Sequence, residues 1–176
     1  FIAKEAHQVQ LDTAYDAVSV FVNFDPESNA GAQGNGNVYY FDDLKLIDAS
    51  APALWATFDD VPAQSFNGFE GAGSELAADP ENANNTVVKV TKALNAKPWA
   101  GTTVNPDAPI VFDAAHQGLS LRVYSDEADI PVVLKLEGAG VQVEVQKTVA
   151  GWQELHFDFA GFIANEAHQV QLDTAY

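Results

Sequence analysis

The sequence contains no cysteine and no methionine, and only eight Lys and Arg stand against 25 Asp and Glu in its 176 residues. The missing cysteine excludes disulfides, thiolate zinc sites and cysteine nucleophiles together. The missing methionine reads as a mature or internal piece of a longer protein. A formal charge of −17 repels phosphate backbones and anionic lipid, which disfavours nucleic-acid and membrane-surface roles. No window approaches the roughly 20 apolar residues of a spanning helix. The start, Phe1-Ile2-Ala3-Lys4-Glu5, lacks the charged head and apolar core of a signal peptide. Helical periodicity is scarce too, with Ser74 to Ala78 and Val90 to Leu94 the only short candidates. Against these absences, hydrophobic residues make up 47%, so the chain folds, and its length suits one domain.

The strongest positive signal is an internal repeat. Residues 1 to 15 read FIAKEAHQVQLDTAY and residues 162 to 176 read FIANEAHQVQLDTAY, differing only at Lys4 against Asn165. Self-similarity of this kind reads as a window from a tandem array with a period of about 161 residues, the alternative being a duplication that completes a truncated domain. Residues 49–53, Ala-Ser-Ala-Pro-Ala, are small and aperiodic and read as the linker. Residues 1–48 are then the closing strands of one repeat and 54–176 the opening and middle strands of the next, arranged as in a circular permutant. Residues 16–48 are expected to pack against 54–161, because an isolated hairpin is marginal in water.

Period-two alternation runs through most of the chain. It is clearest at Val18/Val20/Val22/Phe24, Leu119/Leu121/Val123, Val132/Leu134/Leu136, Val141/Val143/Val145 and Leu155/Phe157/Phe159. Gly138-Ala139-Gly140 joins two of these runs as a hairpin, and Asn/Gly/Pro clusters punctuate the rest. The fold class this predicts is all-β, an antiparallel β-sandwich.

On that alternation, Arg122, Tyr124, Lys135, Glu137, Gln142, Glu144, Gln146, Glu154 and His156, with Trp152, share one sheet face. This is the composition of a carbohydrate groove, with Arg122, Tyr124, Trp152, Glu154 and His156 as candidate contacts, or of an ordinary wet sheet face. Trp55 and Trp99 read as core or rim packing residues. His7 and His168 occupy the same repeat position and read as surface residues. Catalysis is not expected: Glu127-Ala128-Asp129 is the nearest approach to a paired-carboxylate motif, and no Ser-His-Asp order, phosphate-cradling loop or His-Glu-x-x-His is present. Because one strand occurs twice, one copy is left over, and its apolar stripe, Val9 and Leu11 or Val170 and Leu172, is expected to pair with a neighbouring copy of the chain.

The segment Asn37-Val38-Tyr39-Tyr40-Phe41-Asp42-Asp43-Leu44-Lys45-Leu46 resembles the closing strand of jelly-roll carbohydrate-binding modules. Trp55-Ala56-Thr57-Phe58-Asp59-Asp60, with Phe69-Glu70 after it, is similar to their first strand. Val88 to Thr91, Pro98 to Gly101 and Trp152 to Phe159 resemble repeats of large surface proteins of marine bacteria. The resemblance implies a jelly roll, an extracellular or cell-surface location, and a structural Ca²⁺ held by Asp42, Asp43, Asp59, Asp60 and Glu70. Two functions follow as expectations. One is a calcium-stiffened structural repeat of an adhesin-like stalk or filament that assembles head to tail. The alternative is a carbohydrate-binding module recognising a polysaccharide through an aromatic and polar sheet face. Near-identity between neighbouring repeats favours the first.

Overall fold

The computed structural model describes residues 8–24, 36–48, 53–59, 65–105 and 108–163. Within them the chain forms β1 (Ala14–Tyr15), β2 (Val18–Val22), β3 (Val38–Asp48), β4 (Ala53–Ala56), β5 (Ser65–Phe69), β6 (Ala72–Ala78) and β7 (Thr86–Lys92). It continues with β8 (Gly101–Asn105), β9 (Ile110–Val111), β10 (His116–Ser125), β11 (Ile130–Leu136), β12 (Val141–Lys147), β13 (Gly151–Asp158) and a single 3-10 turn, Ala160–Phe162. No helix in the described residues is long and apolar enough to cross a membrane.

The strands make two antiparallel sheets. One has the order β13-β10-β3-β7-β6, with β4 beside β3; the other has the order β12-β11-β2-β8-β5. A short β1–β9 pair lies apart from both. Valine and β-branched alternation gives each strand one apolar side, and those sides meet between the sheets. Val18, Val20, Val22, Val104, Val132, Leu134 and Leu136 line the core from the five-stranded sheet. Phe41, Leu44, Val88, Leu119, Leu121, Leu155 and Phe157 line it from the six-stranded sheet. The molecule is therefore all-β and sandwich-like, as the alternation predicts.

Both β2 and β3 are central strands, bordered by β8 and β11 and by β7 and β10 respectively. Residues 16–48 thus contribute an inner strand to each sheet. The strands flanking residues 49–52 pair directly, with Leu44 opposite Ala56 and Leu46 opposite Ala53. Neither short helical candidate forms a helix: the first is strand, and the second is strand to Lys92 and turn after it. Residues 74–78 fall in β6, and Val90 begins the last three residues of β7; the two strands pair from Ala72↔Lys92 to Ala78↔Thr86. A five-residue apolar spacing is too short to nucleate a helix against a ladder that buries Val87, Val88 and Val90.

Two irregularities matter below. Opposite Leu121, β3 carries one extra residue, and Asp43 there has φ 50°, a bulge that turns consecutive carboxylates toward β10. At the other end of the fold, Val9 makes a parallel bridge to Ile163, so the two ends of the described chain lie side by side.

Candidate functional site

The outer face of the five-stranded sheet is built from strict cross-strand rows. Thr103 on β8, Ser19 on β2, Lys135 on β11 and Gln142 on β12 stand directly opposite one another. Asn67 on β5 extends this polar row by one strand. Two residues along lies an aromatic row. Phe69 faces Gly101, and Phe21 follows on β2 at the position that Ser19↔Thr103 sets two residues away. Only glycine fits between the rings: a Cβ on Gly101 would lie 2.6 Å from the Val20 carbonyl oxygen and 3.0 Å from both the Phe21 and Phe69 rings. The rings meet edge to face at 5.5 Å, and Phe24 packs on Phe21 at 5.4 Å.

One wall of the hollow comes from a corner. The turn Glu70-Gly71, with φ 55° and 97°, carries the chain from β5 in one sheet to β6 in the other. The connection between β7 and β8 docks on it, with Ala93 N–H donating to the Gly71 carbonyl and Lys97 N–H to the Glu70 carbonyl. A Cβ on Gly71 would stand 2.7 Å from Ala96 Cα, so the close approach requires glycine. The docked loop raises Trp99 onto the rim, 44% exposed, with the Lys97 ammonium 5.8 Å from its ring centroid.

Between these walls is an open groove of about 590 Å³, within the range of small-ligand sites. Its lining combines Phe21, Phe24, Phe69 and Trp99 with Ser19, Thr103, Lys135, Glu137, Gln142 and Glu70. The polar groups are ordered as a relay. Thr103 Oγ1 and Ser19 Oγ share a 2.8 Å hydrogen bond, and Ser19 Oγ donates to Glu137 Oε1 at 2.7 Å. Lys135 Nζ donates to both Glu137 oxygens at 3.1 and 2.9 Å. Thr103, Lys135 and Glu137 keep further donors or lone pairs for a ligand, while Ser19, 1% exposed, holds their orientations in advance from beneath.

The candidates Arg122, Tyr124, Trp152, Glu154 and His156 come together on the outer face of the other sheet. The register places Tyr124 opposite Trp152, Arg122 opposite Glu154 and Ser120 opposite His156. Lys135, Glu137 and Gln142, which the alternation grouped with them, belong to the opposite side of the sandwich. Here Arg122, Tyr124, Trp152 and Glu154 are spent on one another and on their neighbours, while His156 is exposed and borders a separate hollow with Ile47, Gln117 and Asp158. Arg122 stacks over the Trp152 ring at 4.5 Å, and Trp152 Nε1 donates to Asp79 Oδ1 at 2.9 Å. Tyr124 lies edge-on between Tyr40 and Trp152. Lys45 bridges Asp43 and Glu154 at 3.7 and 3.9 Å, and Lys89 pairs with Glu75 at 2.7 Å.

Of the five carboxylates proposed for calcium, the bulge brings Asp42 and Asp43 together, but around Arg122, whose Nη1 is 3.7 and 3.4 Å from their Oδ2 atoms. Asp42 is buried, its Oδ2 accepts from Asn85 Nδ2 at 2.9 Å, and its Oδ1 has no partner among the described residues. Burial pushes its carboxyl above the usual aspartate range, against the opposing effect of Asn85. Asp59 is exposed and accepts the Thr86 N–H, while Glu70 stands in the groove of the other sheet. Asp60 lies outside the described residues. These oxygens do not converge, and among the described residues no group of three or more His, Asp or Glu is arranged to hold a metal ion. A nearby carboxylate, Asp79, goes the other way. Burial raises it, but donors from Glu81, Trp152 and Asn85 together hold it below the usual range.

Two buried lysines donate to backbone carbonyls. Lys92, 4% exposed, donates to the Asn23 carbonyl at 3.0 Å, and desolvation lowers its pKa from 10.5 to about 8. Lys147 donates to the Val149 carbonyl and is likewise lowered by burial.

Of the assembly residues, Val9 is fully buried and Leu11 packs against the core, while Val170 and Leu172 lie outside the described residues. Trp99, read from the sequence as a core or rim packing residue, stands on the rim, and its place in the lining of a groove is what sequence reasoning missed. The available signal was local: an indole inside Lys97-Pro98-Trp99-Ala100-Gly101 sits in turn residues, where a core ring is out of place. No family model matches the chain, and neither the curated proteins nor the solved structures compared with it give a match.

Proposed function

We propose that this domain binds a neutral polysaccharide or oligosaccharide, without cleaving it, along the groove of the five-stranded sheet. The observation that carries this reading is the juxtaposition of a row of aromatic rings with a parallel row of preorganised hydroxyl, amide and paired charged groups. A sugar ring has the matching surfaces: an apolar C–H face for the rings and hydroxyls at its rim for Thr103, Lys135, Glu137 and Gln142. The groove is open, so it suits a chain lying across the strands. The charge of −17 disfavours a polyanionic glycan. Glu137 spends both oxygens on Lys135, which fits binding better than acid–base chemistry. A jelly-roll connection of the two sheets and an extracellular location belong to the same reading.

Titration with neutral and anionic soluble glycans, followed by tryptophan fluorescence, tests it. Saturable binding of a neutral glycan that falls at least tenfold in Trp99→Ala, with no reducing ends released, is the expected result. Equal binding by Trp99→Ala, or no binding by any glycan, rejects it.

A second reading is supported by a different observation. The 14 identities between residues 1–15 and 162–176 describe a unit repeated for its fold, as in an extracellular stalk or filament whose partners are neighbouring copies. A module can carry a groove and also serve as such a unit.

A further inference from the structure

The octapeptide Gln-Val-Gln-Leu-Asp-Thr-Ala-Tyr occurs at residues 8–15 and again at 169–176. The first copy is built into the sandwich. Val9 is 0% exposed, its N–H donates to the Phe162 carbonyl at 2.8 Å, and it bridges Ile163 in parallel. Asp12 N–H donates to the Phe112 carbonyl at 2.9 Å, and Ala14 and Tyr15 pair with Val111 and Ile110. The Tyr15 hydroxyl accepts the Gln10 N–H at 2.7 Å, and its ring meets Phe112 at 6.3 Å. The slot is thus defined by Ile110–Phe112 on one side and Phe162–Ile163 on the other. It reads backbone and side chains that residues 169–176 reproduce without change.

The second copy departs from the slot's own edge, since Ile163 precedes it. Placing Val170 beside Ile163 in the same molecule would need a parallel return through six residues, whereas parallel neighbours require a crossover of about a dozen or more. Residues 8–15 are under no such constraint. They run into β2 through Asp16 and Ala17.

We infer that residues 169–176 are a donor strand for the slot of a second copy of this chain, so that molecules join head to tail when residues 8–15 leave it. The inference rests on the repeat reading and is independent of the groove. In the intact chain the tethered first copy holds the slot through its high effective concentration, so exchange is rare until that copy is weakened.

The test is Val9→Asp in the full chain, with mass measured by light scattering over a wide concentration range and strand content by circular dichroism. A charged carboxylate at this buried site expels residues 8–15 from the slot. The expected result is a folded β protein whose mass at least doubles as concentration rises, and which returns to single-chain mass when Val170→Asp is added. A folded Val9→Asp chain that stays at single-chain mass overturns the inference. So does association that survives Val170→Asp. Loss of strand signal at high concentration overturns it as well, because a donor strand in trans would restore the fold. Glycan binding measured in parallel separates failure of this inference from failure of the groove.

Discussion

The two outer faces of this sandwich are made from the same kinds of residue and arrange them differently. Each carries aromatics, a cation and several amides or carboxylates in cross-strand rows. On the six-stranded sheet, Tyr40, Tyr124 and Trp152 stand in one row, and Arg122 fills the space above the indole, so ring faces and charges satisfy each other. On the five-stranded sheet, Gly101 interrupts the row and the β7–β8 loop rises at its edge, so Phe21, Phe69 and Trp99 border a hollow. An aromatic face becomes a binding surface when its neighbours leave it uncovered, and composition does not report that.

The strongest way to break this contrast is to exchange the fates of the two tryptophans. Trp152→Ala removes the Arg122 stack and leaves Asp79 without an indole donor, and is expected to cost about 3 kcal/mol of stability by denaturant unfolding with glycan binding intact. Trp99→Ala, largely exposed, should do the reverse. Should Trp152→Ala abolish binding at unchanged stability, the assignment of the faces is inverted. Next in size, Gly101→Ala forces Phe21 and Phe69 apart and is expected to cost roughly 2 kcal/mol and to weaken glycan binding together with it. Unchanged stability would show that the aromatic floor is not close-packed.

A cation that belongs to neither face gives a smaller effect. Lys92 has its pKa lowered on folding, so below about pH 8 the folded state bears the cost of a buried charge, and that cost is relieved as pH rises from about 8 toward 10.5. Lys92→Met should therefore be more stable than the parent at pH 7. The difference should shrink by about 1.4 kcal/mol per pH unit through that window. A gap that is constant with pH would mean that Lys92 keeps its ordinary pKa. The smallest effect concerns calcium. With Arg122 already placed between Asp42 and Asp43, a chelator is expected to leave the melting temperature where it is. A fall on chelation that Asp43→Ala removes would instead establish a metal at the bulge.

Much of the architecture could be read before any coordinates. Val18/Val20/Val22, Leu119/Leu121/Val123 and Val132/Leu134/Leu136 alternate with period two because each strand has one side in the core, and the structure buries all of them. The assignments that failed depend on partners distant in the chain. Residues 74–78 and 90–94 look helical alone, and only pairing between β6 and β7 makes 74–78 and 90–92 strand, with Ala93 and Leu94 in the turn that follows. Arg122 and Lys135 both alternate outward, yet nothing in alternation says that they lie on opposite sides of the sandwich, since that depends on which strands neighbour which.

The sequence by itself determined the all-β character and the duplicated segment, because side-chain period and identity are properties of the chain read locally. Tertiary structure alone decided the rest. Strand order put Thr103, Ser19, Lys135 and Gln142 in one row. A bulge turned Asp42 and Asp43 onto Arg122, and a turn of two residues with positive φ set Trp99 on a rim. Each joins residues tens of positions apart, and such proximity arises only when the sheets close around a shared core.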